Sequence, residues 1–369
     1  MTDPSPLDAP TADNLAMADA DSVAERLFAD ALHVSEFMSV YIGERMGWYA
    51  ELANHGPTTS NDLARRTGTD PRYAREWLEM QAAYALVSVG LETTPPRFAL
   101  SPGAAEVLLD RHSLAYLGEL PRIFAAAFGR LPELLDAYRG GGGVSWHRFG
   151  VDARECQSAL NRPWFERALA PALASVPEVD RRLRRPGARV ADIGCGFGWS
   201  TIALATAYPE ATLVGLDIDE KSVDAARGNA DEAGVAARVR FELADAATLA
   251  DAEPFDLAFA FECVHDMPRP VDVLRAVREA LAPGGSMIVM DEAVSPAFAG
   301  PASEVDRLMY GFSLFICLPD GMSSTPSAAT GTVMRPETLR TYAVEAGFGD
   351  MAVLPIDDFS LFRFYELIA

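Results

Sequence analysis

Apolar residues recur at three- and four-residue steps through residues 24–52, with Leu27, Ala31, Val34, Met38 and Tyr41 on one face. That spacing predicts an amphipathic helix, which Gly56-Pro57 ends. Thr59 and Asp62 make a capping-box pair at the head of a short helix stopped by Gly68. Asp70-Pro71 opens a third helix with proline at its first position, and its predicted stripe is Tyr73, Trp77, Met80 and Tyr84. Two short runs, 86–89 and 97–100, flank a turn at Thr94-Pro95-Pro96 and read as a hairpin. Helices followed by a hairpin predict a winged-helix unit over residues 22–112.

The pattern is helical again from 113 to 185, interrupted by Gly140-Gly141-Gly142-Gly143. That stretch reads as a linker reaching over a site, with the glycine run as a flexible break. After Gly187 the period changes. Strands at 189–193, 211–216, 239–243, 255–261 and 286–290 alternate with helices at 199–208, 221–233 and 271–281. A helix at 336–346 and strands near 351–355 and 361–367 follow. Such alternation predicts an α/β fold over 186–369, a doubly wound parallel sheet with helices on both faces.

Charge narrows the partners. The formal net charge is −22, which repels nucleic acid and anionic lipid and suits a cationic ligand. Up to residue 110 there are 17 carboxylates against 7 arginines, the wrong sign for a DNA-binding regulator. On the third helix Arg72 and Arg75 share their face with Glu76 and Glu79. The four cysteines form no C-x-x-C pair, and the five histidines do not lie near them at ligand spacing, so no metal site is expected. Residues 1–21 read as a disordered acidic tail without the basic and apolar blocks of a signal peptide, and the apolar stretch 114–135 is broken by Glu119, Pro121, Arg122 and Arg130. A cytoplasmic chain without membrane contact is expected.

The candidate chemistry begins at Asp192-Ile193-Gly194-Cys195-Gly196-Phe197-Gly198, between a strand and a helix. Glycines at alternate positions let the backbone turn sharply and approach a ligand. A glycine turn alone also serves nicotinamide enzymes, phosphate loops and ordinary turns. Two details discriminate here. Asp192 stands where dinucleotide sites hold an apolar residue, and its charge suits the ammonium and sulfonium of S-adenosylmethionine rather than a pyrophosphate. The spacing is G-x-G-x-G, not G-x-G-x-x-G. Asp217 ends the next strand, where a carboxylate accepts ribose hydroxyls, and Asp245 follows the third strand, placed for an adenine amino group. Cys195, Ile218, Ala246 and Glu262 flank these positions and complete the candidate cofactor set, with Phe165 as a ring that stacks over the cofactor or packs in the core.

In this order, with Phe255 to Asp266 and Pro283-Gly284-Gly285 after them, the motifs resemble class I S-adenosylmethionine-dependent methyltransferases. With the winged helix in front, the chain resembles bacterial small-molecule methyltransferases and plant O-methyltransferases. The resemblance implies strand order 3-2-1-4-5-7-6 with strand 7 antiparallel, S-adenosyl-L-methionine as cofactor, and a homodimer formed through the N-terminal domain. It also implies roles after the fourth strand. His265-Asp266 matches the His-Asp pair whose histidine is the general base in the O-methyltransferases, and an unperturbed imidazole near pKa 6.5 suits proton transfer near neutrality. Asp291 matches the acid that orients that histidine, with Glu292 beside it as an alternative. Met267 departs from the tryptophan usual in the plant enzymes.

A stripe of Val305, Leu308, Met309, Phe312, Phe315 and Ile316 reads as an acceptor wall, as plain core or as a dimer contact. Met309, Phe312 and Ile316, with Trp146 from the linker, are the candidate substrate contacts. The expected activity is methyl transfer to a small-molecule acceptor, first of all a hydroxyl. The rival readings are a winged-helix transcriptional regulator, a nicotinamide-dependent oxidoreductase, and a non-catalytic S-adenosylmethionine sensor.

Overall fold

A computed structural model describes residues 19–251 and 253–369. Residues 1–18, most of the expected tail, lie outside the described residues. The described chain divides into two compact units, one of 19–126 with 155–163 and the other of 127–154 with 164–369. The expected linker is thus shared between them.

In the first unit, helices Ala20–Arg45, Trp48–His55, Ser60–Thr67 and Pro71–Ala83 precede the antiparallel pair β1 (Val87–Gly90) and β2 (Arg97–Leu100). The single helix expected over 24–52 is two, divided where Gly47 takes a φ of 67°. Thr59 caps its helix as the sequence indicated, accepting from the Asp62 amide at 3.2 Å, and Asp70 accepts from the amides of Arg72 and Tyr73. The buried stripe of helix Pro71–Ala83 is rotated from the expected one. Ala74, Trp77, Leu78 and Gln81 face inward, while Tyr73 is 75% exposed. Gln81 belongs inside because its amide is paired: Nε2 donates to Ser39 Oγ at 2.7 Å and Oε1 accepts from Tyr49 Oη at 2.5 Å. Trp77 packs its ring 4.9 Å from both Trp48 and Tyr49. Arg72 pairs with Glu76, and Arg75 with Glu79 at 2.9 Å.

The second unit holds a seven-stranded sheet. Its strands are β3 (Arg189–Ile193), β4 (Thr212–Asp217), β5 (Val239–Leu243), β6 (Phe255–Phe261), β7 (Leu281–Glu292), β8 (Asp350–Val353) and β9 (Phe362–Ile368), in the order β5-β4-β3-β6-β7-β9-β8. The first five are parallel to one another, and β9 runs antiparallel to both neighbours. This is the expected topology. Side chains alternate across the sheet, so Leu257, Phe259 and Phe261 of β6 enter one core while Ala258 and Ala260 enter the other. Helices Trp199–Ala207 and Glu220–Glu232 cover the first face, and Pro270–Ala280 and Pro336–Ala346 the second. Both faces are sealed, which explains strands apolar nearly throughout.

The glycine run is less free than its composition suggests. A Cβ on Gly143 would lie 1.8 Å from the Pro319 carbonyl oxygen, and the Val144 amide donates to that oxygen at 3.0 Å. Among the described residues, no helix is long and apolar enough to cross a membrane.

Candidate active site

The parallel strands end side by side and deliver the candidate residues in sheet order. Asp245 follows β5, Asp217 ends β4, Asp192 lies near the end of β3, Glu262 to His265 follow β6, and Asp291-Glu292 end β7. This edge is where open α/β sheets bind ligands.

Asp192 is 1% exposed. Its Oδ2 accepts from Ser200 Oγ at 2.6 Å and from Thr201 Oγ1 at 2.5 Å, two hydroxyls at the start of the following helix. Its Oδ1 is buried and has no hydrogen-bond partner. Burial drives its pKa up to about 6, with the two hydroxyls pulling the other way and Asp217 adding to the rise. Asp217 holds the glycine turn in shape: Oδ2 accepts from the Gly196 amide and Oδ1 from the Asp219 amide, both at 2.8 Å. Burial raises its pKa against those two bonds.

The glycines of the turn serve different ends. All three have positive φ, at 68°, 52° and 78° for Gly194, Gly196 and Gly198. A Cβ at Gly194 would meet Cys263 Sγ at 2.8 Å, and one at Gly198 would meet the Phe241 ring at 2.5 Å, so these two answer to packing. A Cβ at Gly196 would meet nothing within 4 Å. Only Gly196 leaves the open space that a ligand would use.

The remaining cofactor candidates scatter more widely. Asp245 is half exposed, accepts from the Ala247 amide at 2.9 Å and lies 3.4 Å from Arg269. Ile218 is 76% exposed, whereas Cys195 and Ala246 are buried in opposite cores. Glu262 takes a φ of 51°, a left-handed conformation uncommon outside glycine. Phe165 is buried, with its ring 5.3 Å from that of Phe261 in an edge contact.

His265 is 2% exposed, on the short turn Val264–Asp266. Its Nδ1 lies 3.0 and 3.1 Å from the two Asp291 oxygens and 3.2 Å from Glu292 Oε2, so both acids meet one ring nitrogen. Its Nε2 lies 3.4 Å from Asp266 Oδ1. Burial alone would lower the imidazole pKa, but Glu292, Asp291 and Asp266 outweigh it and hold the pKa well above 6.5. The ring therefore sheds its proton at a higher pH than a free imidazole does. Burial pushes Glu292 up to about 8, against the pull of His265.

Of the substrate candidates, Met309 and Ile316 are buried and Phe312 is half-buried. The helix Glu304–Phe312 continues as a π-helical turn, Ser313–Cys317, then as Leu318–Gly321. The Trp146 amide donates to Asp320 Oδ1 at 2.7 Å. Burial raises Asp320 to about 7, helped by Asp266. The sequence reading overlooked Asp320, the two hydroxyls on Asp192, and Cys317. Only the hydroxyls carried a signal, as Ser200-Thr201 just after the glycine turn.

These raised acids set a stability trend. Asp192, Asp320 and Glu292 titrate at 3.8, 3.8 and 4.5 when unperturbed and at about 6, 7 and 8 here, so the folded chain binds their protons more tightly. His265 has the same sign from 6.5 upward. Stability is therefore expected to fall as pH rises from about 5.5 to 8.5, because the folded state holds more protons than the unfolded one. Thermal unfolding at constant ionic strength reads this directly, and a melting temperature that climbs over the range contradicts it.

Comparison with known proteins adds the following. Residues 184–314 match a family profile described as a methyltransferase domain, and residues 34–109 match an Rv2258c-like winged HTH domain. The chain is 40% identical over 126 residues to 27-O-demethylrifamycin SV methyltransferase of Amycolatopsis mediterranei, covering 34% of this chain and 46% of that one. It is 29% identical over 266 residues to acetylserotonin O-methyltransferase of Mus musculus, covering 68% of each. The match thus spans less than half of the rifamycin enzyme and about two thirds of the mouse one. Among solved structures, mitomycin 7-O-methyltransferase MmcR superposes with a TM-score of 0.70 at 19% identity, covering 95% of this chain and 99% of that one. Human N-acetylserotonin methyltransferase, solved with SAM, gives 0.66 at 19% identity, covering 95% and 99%. At such identity these two speak for the fold.

Proposed function

From a chain that carries a class I methyltransferase domain behind an N-terminal winged helix-turn-helix domain, we propose an S-adenosylmethionine-dependent enzyme that methylates a hydroxyl of a small molecule. The observation that carries the reading is the buried, unpartnered Oδ1 of Asp192 beside a glycine turn whose Gly196 faces open space. A buried carboxylate oxygen left without a donor costs about 1–3 kcal/mol or more, so this oxygen calls for a cationic or donor-bearing ligand. The ammonium of S-adenosylmethionine answers that need. Asp192, Gly194, Cys195, Gly196, Gly198 and Asp217 would hold the cofactor, with Ile218, Asp245, Ala246, Glu262 and Phe165 around it. When bound, it supplies an electrophilic methyl group on a good leaving group.

The chain's own residues then have two tasks, to orient the acceptor and to take its proton. His265 Nε2 is the acceptor of that proton in this reading, and Asp291 with Glu292 orients the ring and stabilises its charged form. The three carboxylates around His265 bind its proton firmly, and a cation placed near them loosens that hold. Trp146, Met309, Phe312 and Ile316 are read as the acceptor wall. Isothermal titration with S-adenosylmethionine, followed by methyl-transfer assays on a panel of phenols, amines and carboxylates, tests the whole reading. No heat with well-folded protein would end it.

We read residues 22–112 as the dimerisation domain, 113–185 as linker and lid, and 186–369 as the catalytic domain of a homodimer. The helix Ala20–Arg45 leaves Leu27, Phe28, Leu32 and Val34 exposed, Phe28 at 68%, an apolar face that a second copy would cover. Phe28→Glu is expected to shift the protein from dimer to monomer in analytical ultracentrifugation; an unchanged dimer would move the interface elsewhere. The rival DNA-binding role is disfavoured because Arg72 and Arg75 are already paired with glutamates on the same helix. Four free cysteines suit the reducing cytoplasm.

A further inference from the structure

His265, Asp266 and Cys317 come from two separate elements, the turn after β6 and the π-helical turn Ser313–Cys317, yet one ligand atom from each lies within 4.8 Å of the others. Asp291 takes the Nδ1 side of the ring, and the other nitrogen, Nε2, lies 3.4 Å from Asp266 Oδ1. Asp266 Oδ1 is buried, and the Cys317 thiol and the His265 ring are the groups that act on its carboxyl. Asp266 and Cys317 are half-buried rather than sealed, which leaves a route in. A carboxylate holding one ring nitrogen while the other is presented outward is the second-shell arrangement found behind zinc-bound histidines.

We propose that His265 Nε2, Asp266 Oδ1 and Cys317 Sγ form a three-ligand site for a divalent cation of the zinc class. The donor set chooses the metal. One thiolate, one imidazole and one carboxylate suit zinc or cobalt, whereas magnesium and calcium take oxygen ligands. Binding is an exchange: the metal replaces the proton on Nε2 and the proton on the Cys317 thiol, and both go to solvent. Because binding releases those protons, uptake strengthens as pH rises. An occupied site withholds the Nε2 lone pair from proton transfer and stops turnover. That consequence rests on the reading of His265 as the base; the binding does not.

The test uses the full chain, stripped with chelator and titrated with cobalt(II). A thiolate-to-cobalt charge-transfer band saturating at one equivalent, displaced by zinc and lost in Cys317→Ser, is the expected result. Asp266→Asn should weaken affinity about tenfold or more. Zinc X-ray absorption on the wild-type chain should show one sulfur at about 2.3 Å and lighter ligands at about 2.0 Å, and it decides the matter if Cys317→Ser does not fold. No band, a band that survives Cys317→Ser, or a shell without sulfur overturns the site. In the assay, zinc should inhibit the wild type and spare Cys317→Ser. A band without inhibition supports the site and counts against the proton-transfer role of His265; inhibition without a band overturns the site.

Discussion

Replacing His265 with glutamine is expected to lower turnover by about 10²- to 10⁴-fold, the range for a lost general base, while cofactor binding is kept. The geometry supports a loss in kcat rather than affinity. His265 sits after β6 with its ring nitrogen Nδ1 against Asp291 and Glu292, whereas the glycine turn follows β3. The pH profile separates a base from a packing residue. Because the surrounding carboxylates hold the imidazole pKa well above 6.5, the ring must shed a proton before it can accept one. Turnover is therefore expected to rise with pH through the alkaline range, with its limb above the usual histidine value. In His265→Gln that limb disappears. A variant with wild-type turnover and an unchanged profile would leave His265 a structural residue.

Asp192→Asn is expected to weaken S-adenosylmethionine binding by about 10- to 150-fold, the equivalent of one charge-assisted hydrogen bond of 1.5–3 kcal/mol. The same change should leave the apo chain as stable or more so. The carboxyl pKa is displaced from 3.8 to about 6, so near pH 7.5 the fold holds a buried charge at a cost on the order of 3 kcal/mol. Asparagine keeps an oxygen for Ser200 and Thr201 and removes that charge. Affinity falling while melting temperature holds or rises would mark Asp192 as a group retained for its ligand. Equal loss of both would make it a structural acid and remove the main support for the cofactor reading.

The sheet was legible because its signals are local and repeated. Strand-length apolar runs predict β3 to β6 almost residue by residue, since both faces are buried and no register question arises, whereas β7 begins at Leu281, ahead of the expected turn at Pro283-Gly284-Gly285. The first helix was legible as a helix but not in its surroundings: Leu27 and Val34 share the spacing of core residues yet stay exposed. Periodicity reports that a face is apolar, not what covers it. In helix Pro71–Ala83 the inward face was misjudged because Gln81 is buried by virtue of two hydrogen bonds, which no hydrophobic pattern reveals.

The candidate site divides in the same way. Asp192, the glycines, His265 and Asp291 follow strands directly, so their place at the sheet edge could be read from the sequence. Which glycine borders open space could not be read, because the neighbours of Gly194 and Gly198, Cys263 and Phe241, come from other strands and turns. Cys317 escaped notice for a similar reason. It meets His265 through tertiary folding alone, and spacing along the chain carries no trace of the encounter.

The pairing of β7 with β9 has a consequence for biosynthesis. Asp291 and Glu292 sit opposite Arg363 and Phe362, about seventy residues later in the chain. While a ribosome is still translating that interval, the nascent β7 has one lateral edge bare, and the acids beside the imidazole hang on an unfinished ladder. Until β9 is in place, that edge of the sheet stays unpaired. Chaperone dependence, if this chain has any, should be concentrated in that window.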